Sequence, residues 1–324
     1  MPNLKTKPIR IKAFLDGRPG HQKQTIGILK ALEKLAPVNV EYKTVKPALS
    51  SYIKNGIAYL IGKALRFSNT STPSSFDIII GTGSHTCLPI LIEKKKSGAK
   101  AATCMTPESF LINKFDLCFI PFHDKPEPRQ NILTTIGPPN LSVYNPNKKD
   151  KKGLILVGGA DKKNRHYKWD TNDITKKIEK ILTNNPAIQW TISSSPRTPI
   201  DASESLKNIA SNRKNAMFFD YKDTPEGWVE KEYDQSRYVC LTADSMSMIY
   251  EAITAGCIVG IIPILWKEKN NKFQESIRYL IKNRYVVSAD AIEKEQSTLN
   301  DMPLNEAARC AKEILERWHP QKLK

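Results

Sequence analysis

A chain of 324 residues is long enough for two ordinary domains, and 40% apolar with 26% charged residues is the make-up of a water-soluble globular protein. No run approaches the roughly 18 apolar residues of a membrane span, and the N-terminus lacks the apolar core of a signal peptide; an integral membrane protein is excluded and the cytoplasm is expected. The net charge of +17 is uneven: residues 1–150 hold 22 Lys+Arg against 10 Asp+Glu, a net of +12, and the remainder carries only +5. Anionic lipid or a phosphorylated acceptor answers such an excess. Nucleic acid answers it less well, because the basic half has no arginine–aromatic array and no recognised binding motif. The six cysteines (87, 104, 118, 240, 257, 310) are scattered among apolar neighbours without a CxxC pair, which fits buried reduced thiols and argues against zinc.

In chain order, Ile9 to Leu15 predicts a strand, followed by a Gly-rich turn and a helix from about Gln22 to Leu35. Val38 to Val45 is a second strand. Phe76 to Ile80, apolar but for Asp77, is a run of the kind found at the centre of a parallel sheet, with a helix from Leu88 to Lys96 after it. Lys100 to Met105 and Leu117 to Pro121 are further strands. Residues 145–153 are charged and turn-rich and predict a linker. A second series starts at Gly153–Val157, with a helix over 171–184, a strand over 188–193, a helix over 206–212 and a strand over 216–220. Tyr238–Leu241 and Ile258–Ile262 are two more strands, a helix opens after residue 245, and a final helix runs from about Asn305 to Trp318. The expectation is an α/β chain with two doubly wound Rossmann-like domains facing a cleft: 1–146, 147–304, and a C-terminal helix within 305–324 packing back on the first.

Ligands in such sheets collect at the carboxyl ends of the strands. There the first domain offers Asp16, Gly17, Arg18, Gly20 and His21, then Gly83, Ser84 and His85 after the central strand, and His123 with Asp124 at the end of 117–121. The glycines permit close backbone approach and positive φ, and His21 suits either a general base or a packing histidine. Gly81-Thr-Gly-Ser84 suits either a weak phosphate loop or a tight turn with a cap. His123 and Asp124, if extended, point opposite ways. The second domain offers Gly158 and Gly159, then Ser195 and Arg197, and finally Thr242, Asp244, Ser245, Ser247 and Glu251 at a strand–helix junction. Hydroxyls, a helix N-terminus and a guanidinium suit a diphosphate, and a carboxylate suits a ribose diol. The same Thr242, Asp244 and Ser245 equally suit an ordinary helix cap.

Asp-Gly-Arg-Pro-Gly-His-Gln at 16–22, Pro-Phe-His-Asp at 121–124, Gly-Gly-Ala at 158–160, Ser-Pro-Arg-Thr-Pro at 195–199 and Thr-Ala-Asp-Ser-Met-Ser-Met at 242–248, with Glu251, occur in this order. In this the chain resembles the mitochondrial fission elongated-mitochondria family and its bacterial relatives, which are described as glycosyltransferases. The resemblance runs from about residue 10 to 318. It implies a GT-B fold with the donor on the second domain and the acceptor on the first. It also implies that Ser245, Ser247 and Glu251 meet a donor nucleotide and that His21 and Asp16 face the reacting centre. Plant members are linked to mitochondrial division, so the family label alone does not fix an activity. Two departures stand out: Pro196 where a second arginine is expected, and Cys257-Ile258 where Lys-Pro is expected after Gly256.

The chain contains no Asp-x-Asp pair, the usual holder of a divalent metal on a nucleotide-sugar, so no metal and no cofactor are expected. A helix N-terminus with Arg and hydroxyl donors is the other way to stabilise the leaving group. The expected partners are a nucleotide-sugar donor and a glycan or lipid-linked acceptor. Residues 49–67, mostly apolar with Lys54, Lys63 and Arg66, suit either a helix lying on an anionic membrane or a core helix. The competing classes are a catalytically idle scaffold and a nucleotide-sugar epimerase.

Overall fold

The computed structural model describes residues 7–45, 75–161, 166–268, 271–295 and 304–323. Residues 49–67, which suit either a membrane-surface helix or a core helix, lie outside them. The chain divides into two compact units: 1–141 with 305–324, and 142–304.

The first unit contains β1 (Ile9–Leu15), α1 (Pro19–Leu35), β2 (Val38–Thr44), β3 (Ile78–Thr82), α2 (Ser84–Ser97), β4 (Lys100–Cys104), the single turn α3 (Ser109–Ile112), β5 (Leu117–Pro121) and β6 (Ile132–Thr135). All six strands are parallel, in the order β2-β1-β3-β4-β5-β6. The chain adds β2 on one side of β1 and everything later on the other. The carboxyl ends of β1 and β3 therefore flank a topological switch point, where a crevice opens. β3 is buried along its whole length and β2, at the edge, is largely exposed. The central strand continues two residues beyond the expected Ile80, because Gly81 and Thr82 stay in register with Thr103 and Cys104. Gly81 is needed there for close approach: a Cβ would stand 2.9 Å from the Phe14 carbonyl oxygen and 3.0 Å from Thr86 and Ile90 of α2. Both helices begin earlier than apolar periodicity alone places them, α1 at Pro19 and α2 at Ser84. Proline is preorganised for a first helical turn, and first turns carry few of the buried residues that mark a helix in sequence.

The second unit contains β7 (Lys149–Leu156), β8 (Tyr167–Lys168), α4 (Thr171–Asn184), β9 (Gln189–Ser193), α5 (Ile200–Ser211), β10 (Ala216–Phe219), α6 (Trp228–Gln235), β11 (Ser236–Thr242), α7 (Met246–Thr254), β12 (Ile258–Ile262), β13 (Leu265–Trp266), α8 (Lys272–Lys282), β14 (Val287–Ser288) and the single turn α9 (Ile292–Glu295). Its main sheet is again six-stranded and parallel, in the order β10-β9-β7-β11-β12-β14. Here the switch point falls between β7 and β11. β8 and β13 form a separate antiparallel pair. Residues 149–152, expected as linker, are the first half of β7. Their lysine-rich composition hides a strand in which Lys152 is met locally: its Nζ lies 2.9 Å from Glu232 and 3.0 Å from Gln235 of α6, and just before the strand Lys148 Nζ donates to the Tyr233 carbonyl at 2.6 Å.

The last helix, α10 (Glu306–Trp318), belongs to the first unit. Its Cys310, Ala311, Ile314 and Leu315 join Ile28, Leu29 and Leu32 of α1 in one core with the inner face of β1, β3 and β4. All six cysteines are free and buried. Burial pushes the thiols of Cys87, Cys104 and Cys118 up to about 12, so none is available as a thiolate nucleophile near neutral pH. No helix among the described residues is long and apolar enough to cross a membrane.

Candidate functional sites

In the first unit the switch point carries an acid–histidine pair. Asp16 directly follows β1 with its side chain fully enclosed, and its Oδ2 lies 2.8 Å from His21 Nδ1 on the first turn of α1. Asp16 Oδ1 accepts the Arg18 backbone N–H at 3.1 Å, so both carboxylate oxygens are engaged. A buried carboxylate on Nδ1 favours the tautomer that carries its proton there and leaves Nε2 as the acceptor. The imidazole lies against Gly83 at the N-cap of α2: a Cβ on Gly83 would stand 2.5 Å from Nδ1 and 2.6 Å from Cε1. Gly83 also has φ +86°, a backbone state closed to most side chains. Gly83 is therefore required by the histidine beside it.

Arg18 Nη2 lies 3.0 Å from His85 Nε2. A guanidinium has no acceptor, so His85 receives this bond on an unprotonated nitrogen. Ser84 stands exposed beside it as the first residue of α2. Gly17, at φ +79°, makes the turn out of β1; Gly20 sits in the helix with open space around it, and close approach does not explain it. Phe122–Asp124 form a 3₁₀ turn rather than the extended end of β5, so His123 and Asp124 do not diverge: His123 Nε2 is 3.7 Å from Asp124 Oδ1. Asp124 Oδ2 in turn accepts from Thr106 Oγ1 at 2.8 Å.

At the second unit's switch point, the Gly158-Gly159 loop after β7 is filled by the protein's own groups. Gly158 N–H donates to Thr242 Oγ1 at 2.8 Å and Gly159 N–H to Asp244 Oδ2 at 3.2 Å. A Cβ on Gly158 would fall 2.1 Å from Asp244 Oδ2, and one on Gly159 would fall 1.9 Å from the Arg197 carbonyl oxygen. These glycines therefore admit Asp244 and the 195–199 loop, and their amides are occupied. The same loop is tied from the other side by Ser195 Oγ, which donates to the Gly158 carbonyl at 3.0 Å, and by the Thr198 hydroxyl, which faces it as well. Arg197 donates from Nη2 to Asp244 Oδ2 at 2.8 Å and from Nη1 to the Tyr167 hydroxyl at 2.9 Å.

The strand–helix junction differs from an ordinary cap. Ser245 stands at the N-cap of α7 without a side-chain bond to the first turn, while Thr242 and Asp244 are drawn away to the glycine loop. The first-turn N–H groups of this nine-residue helix therefore meet no capping side chain. Asp244 precedes the helix, so only Ser247 and Glu251 share its face, four residues apart; Ser247 is exposed and Glu251 is 6% exposed.

Sequence reasoning missed Tyr167. Its hydroxyl donates to the Gly159 carbonyl at 2.6 Å while receiving Arg197. Burial, reinforced by the negative charge of Asp244, pushes this phenol up to about 12, so it stays a neutral donor. No local pattern marks it, because its role depends on the β8–β13 pairing with residues nearly a hundred positions away.

Two parallel six-stranded sheets in one chain, each with polar groups gathered at its switch point, place the protein in the GT-B class of folds. The structure is similar to a UDP-GlcNAc 2-epimerase from Neisseria meningitidis bound to UDP-GlcNAc, at 11% identity and TM-score 0.60 over 95% of this chain and 99% of that one. It is also similar to another UDP-N-acetylglucosamine 2-epimerase (12% identity, TM-score 0.53, 98% and 99%) and to the spinosyn forosaminyltransferase SpnP (10%, 0.50, 98% and 100%). The sequence pattern of the mitochondrial fission ELM1 family matches residues 19–318, and the chain belongs to that family. A comparison with curated proteins finds no match.

Proposed function

We propose that the protein is a metal-independent glycosyltransferase that moves a sugar from a nucleoside-diphosphate donor to a hydroxyl of an envelope glycan or lipid-linked acceptor. The observation that carries this reading is the Asp16–His21 pair, 2.8 Å apart at the switch point of the first sheet. His21 Nε2 takes the proton of the acceptor hydroxyl, and Asp16 stabilises the imidazolium that results. The acceptor oxygen forms a bond to the anomeric carbon as the bond to the donor phosphate oxygen breaks, and that oxygen leaves with the electron pair. Direct displacement inverts the anomeric centre.

The leaving diphosphate is assigned to the uncapped first turn of α7, with Ser245, Ser247 and Arg197 as further donors. Arg197 uses two of its five N–H groups on Asp244 and Tyr167, so it is held in place with donors to spare. Glu251, one turn below Ser247, is assigned to the ribose hydroxyls. The net +12 of residues 1–150 supports an acceptor with anionic surroundings, such as the inner face of a cytoplasmic membrane.

The test is His21→Ala. It should abolish transfer and leave donor affinity within about twofold of wild type; an unchanged transfer rate would remove His21 from the chemistry. A nucleotide-sugar epimerase is the second reading, favoured by the likeness to two epimerase folds. Incubating the donor without acceptor separates the two, since only an epimerase returns an isomeric donor.

A further inference from the structure

The second unit carries a cavity along its sheet beside α6, running from the amino ends of β7 and β9 to Phe219 at the carboxyl end of β10. It has a volume of about 430 Å³, within the range of small-molecule sites, and is lined by the amino-terminal residues of β7 and β9 together with β10 and α6. Its apolar surface is largely aromatic. Trp190 lends the wall little of its ring, which is 1% exposed and packed on Gly153. Phe219 and Trp228 stand 5.6 Å apart with their planes tilted by 46°, and Met217, 61% exposed, forms an edge.

The polar side of the cavity is cationic. Its acid, Glu232, is neutralised by Lys152 at 2.9 Å. Lys149 meets only the neutral Gln235 amide, at 3.3 Å, and Lys151 is exposed; neither has a carboxylate partner among the described residues. Two uncompensated ammonium groups therefore rim an aromatic pocket. Flat rings gain from edge and tilted contacts with other rings, and lysines without partners favour an anion on that ring.

We infer that this cavity is a binding site for a small aromatic anion, held by the Phe219 and Trp228 rings and oriented by Lys149 and Lys151. The site is separate from the donor loop and does not depend on the transfer reaction.

The probe is 2-naphthoate, titrated into the full chain and read by tryptophan fluorescence and calorimetry. It should bind saturably at one site. Neutral 2-naphthamide should bind about tenfold or more weakly, as expected for loss of a charge-assisted contact. The Lys149→Ala/Lys151→Ala double variant, altered only at exposed side chains, should reduce naphthoate to the affinity of the amide. Equal affinity for naphthoate and naphthamide, or a double variant that still tells them apart, would overturn the assignment of the lysines. Decanoate binding as tightly as naphthoate would overturn the aromatic class, and tighter binding to phosphatidylglycerol vesicles that is lost in the double variant would replace the small ligand with a membrane surface.

Discussion

Gly83→Ala puts the geometry of the acid–histidine pair under direct test. Two separate costs arise. The backbone at Gly83 has φ +86° and ψ 165°, a region nearly reserved for glycine, and holding alanine there costs about 1–3 kcal/mol. The new methyl would also stand 2.5 Å from His21 Nδ1, and His21 is pinned by its 2.8 Å contact to the enclosed Asp16; overpacking of this kind costs a further ~1–3 kcal/mol. The two terms are separable, because His21→Ala removes the ring and not the backbone strain. Urea denaturation of wild type, both single variants and the double variant forms a cycle. The double variant should be more stable than the sum of the single costs predicts, by about 1–3 kcal/mol. Costs that add within about 0.5 kcal/mol would refute the claim that Gly83 exists to admit the imidazole.

Gly20 provides the contrast: a methyl there meets nothing within 4 Å, so Gly20→Ala should leave stability unchanged or raise it by up to ~1 kcal/mol, and a loss in thermal melting would show an unseen constraint. Tyr167→Phe keeps the ring and removes the hydroxyl that serves Gly159 and Arg197; it should cost about 1–2 kcal/mol in denaturation and weaken nucleoside-diphosphate binding, and an unchanged donor Kd would detach Tyr167 from the site. Asp77 pairs with Arg10 through backbone and side-chain bonds of 2.8 and 3.0 Å. Burial raises its pKa, but the Arg10 bonds and charge outweigh this and hold it below the ordinary 3.8. A depressed carboxylate stabilises the fold above its unfolded pKa and loses that contribution as pH falls through its folded pKa. Asp77→Asn should therefore cost about 1 kcal/mol near pH 7, in keeping with a pair about one-third exposed, and the gap should close below pH ~3.8; a gap that persists in acid would contradict the ion pair.

The alternation of apolar strands and amphipathic helices is enough to infer two doubly wound units, because parallel strands buried on both faces leave runs such as Ile78-Ile79-Ile80. The polar turns at the strand ends were equally legible as places. Their internal wiring was not. Gly158 and Gly159 look like a phosphate cradle in sequence, yet they are filled by Asp244 and residues 197–198, groups that only the fold brings there. Thr242 and Asp244 look like caps and instead cross to the neighbouring strand end. α8 was missed although Asn271 and Gln274 form a reciprocal capping box, a local signal that was present. β6 and α6 carry too few apolar residues for periodicity to reveal them.

Because α10 supplies Cys310, Ala311, Ile314 and Leu315 to the core beneath α1, the unit that 1–141 begins is completed only after 142–304 has been translated. On the ribosome, residues 7–141 wait with one helix-sized stretch of apolar surface uncovered while the whole of 142–304 emerges and closes its own sheets. A nonsense mutation near residue 304 would spare the unit next to it in sequence and open the other, along with the Asp16–His21 pair that this unit supports.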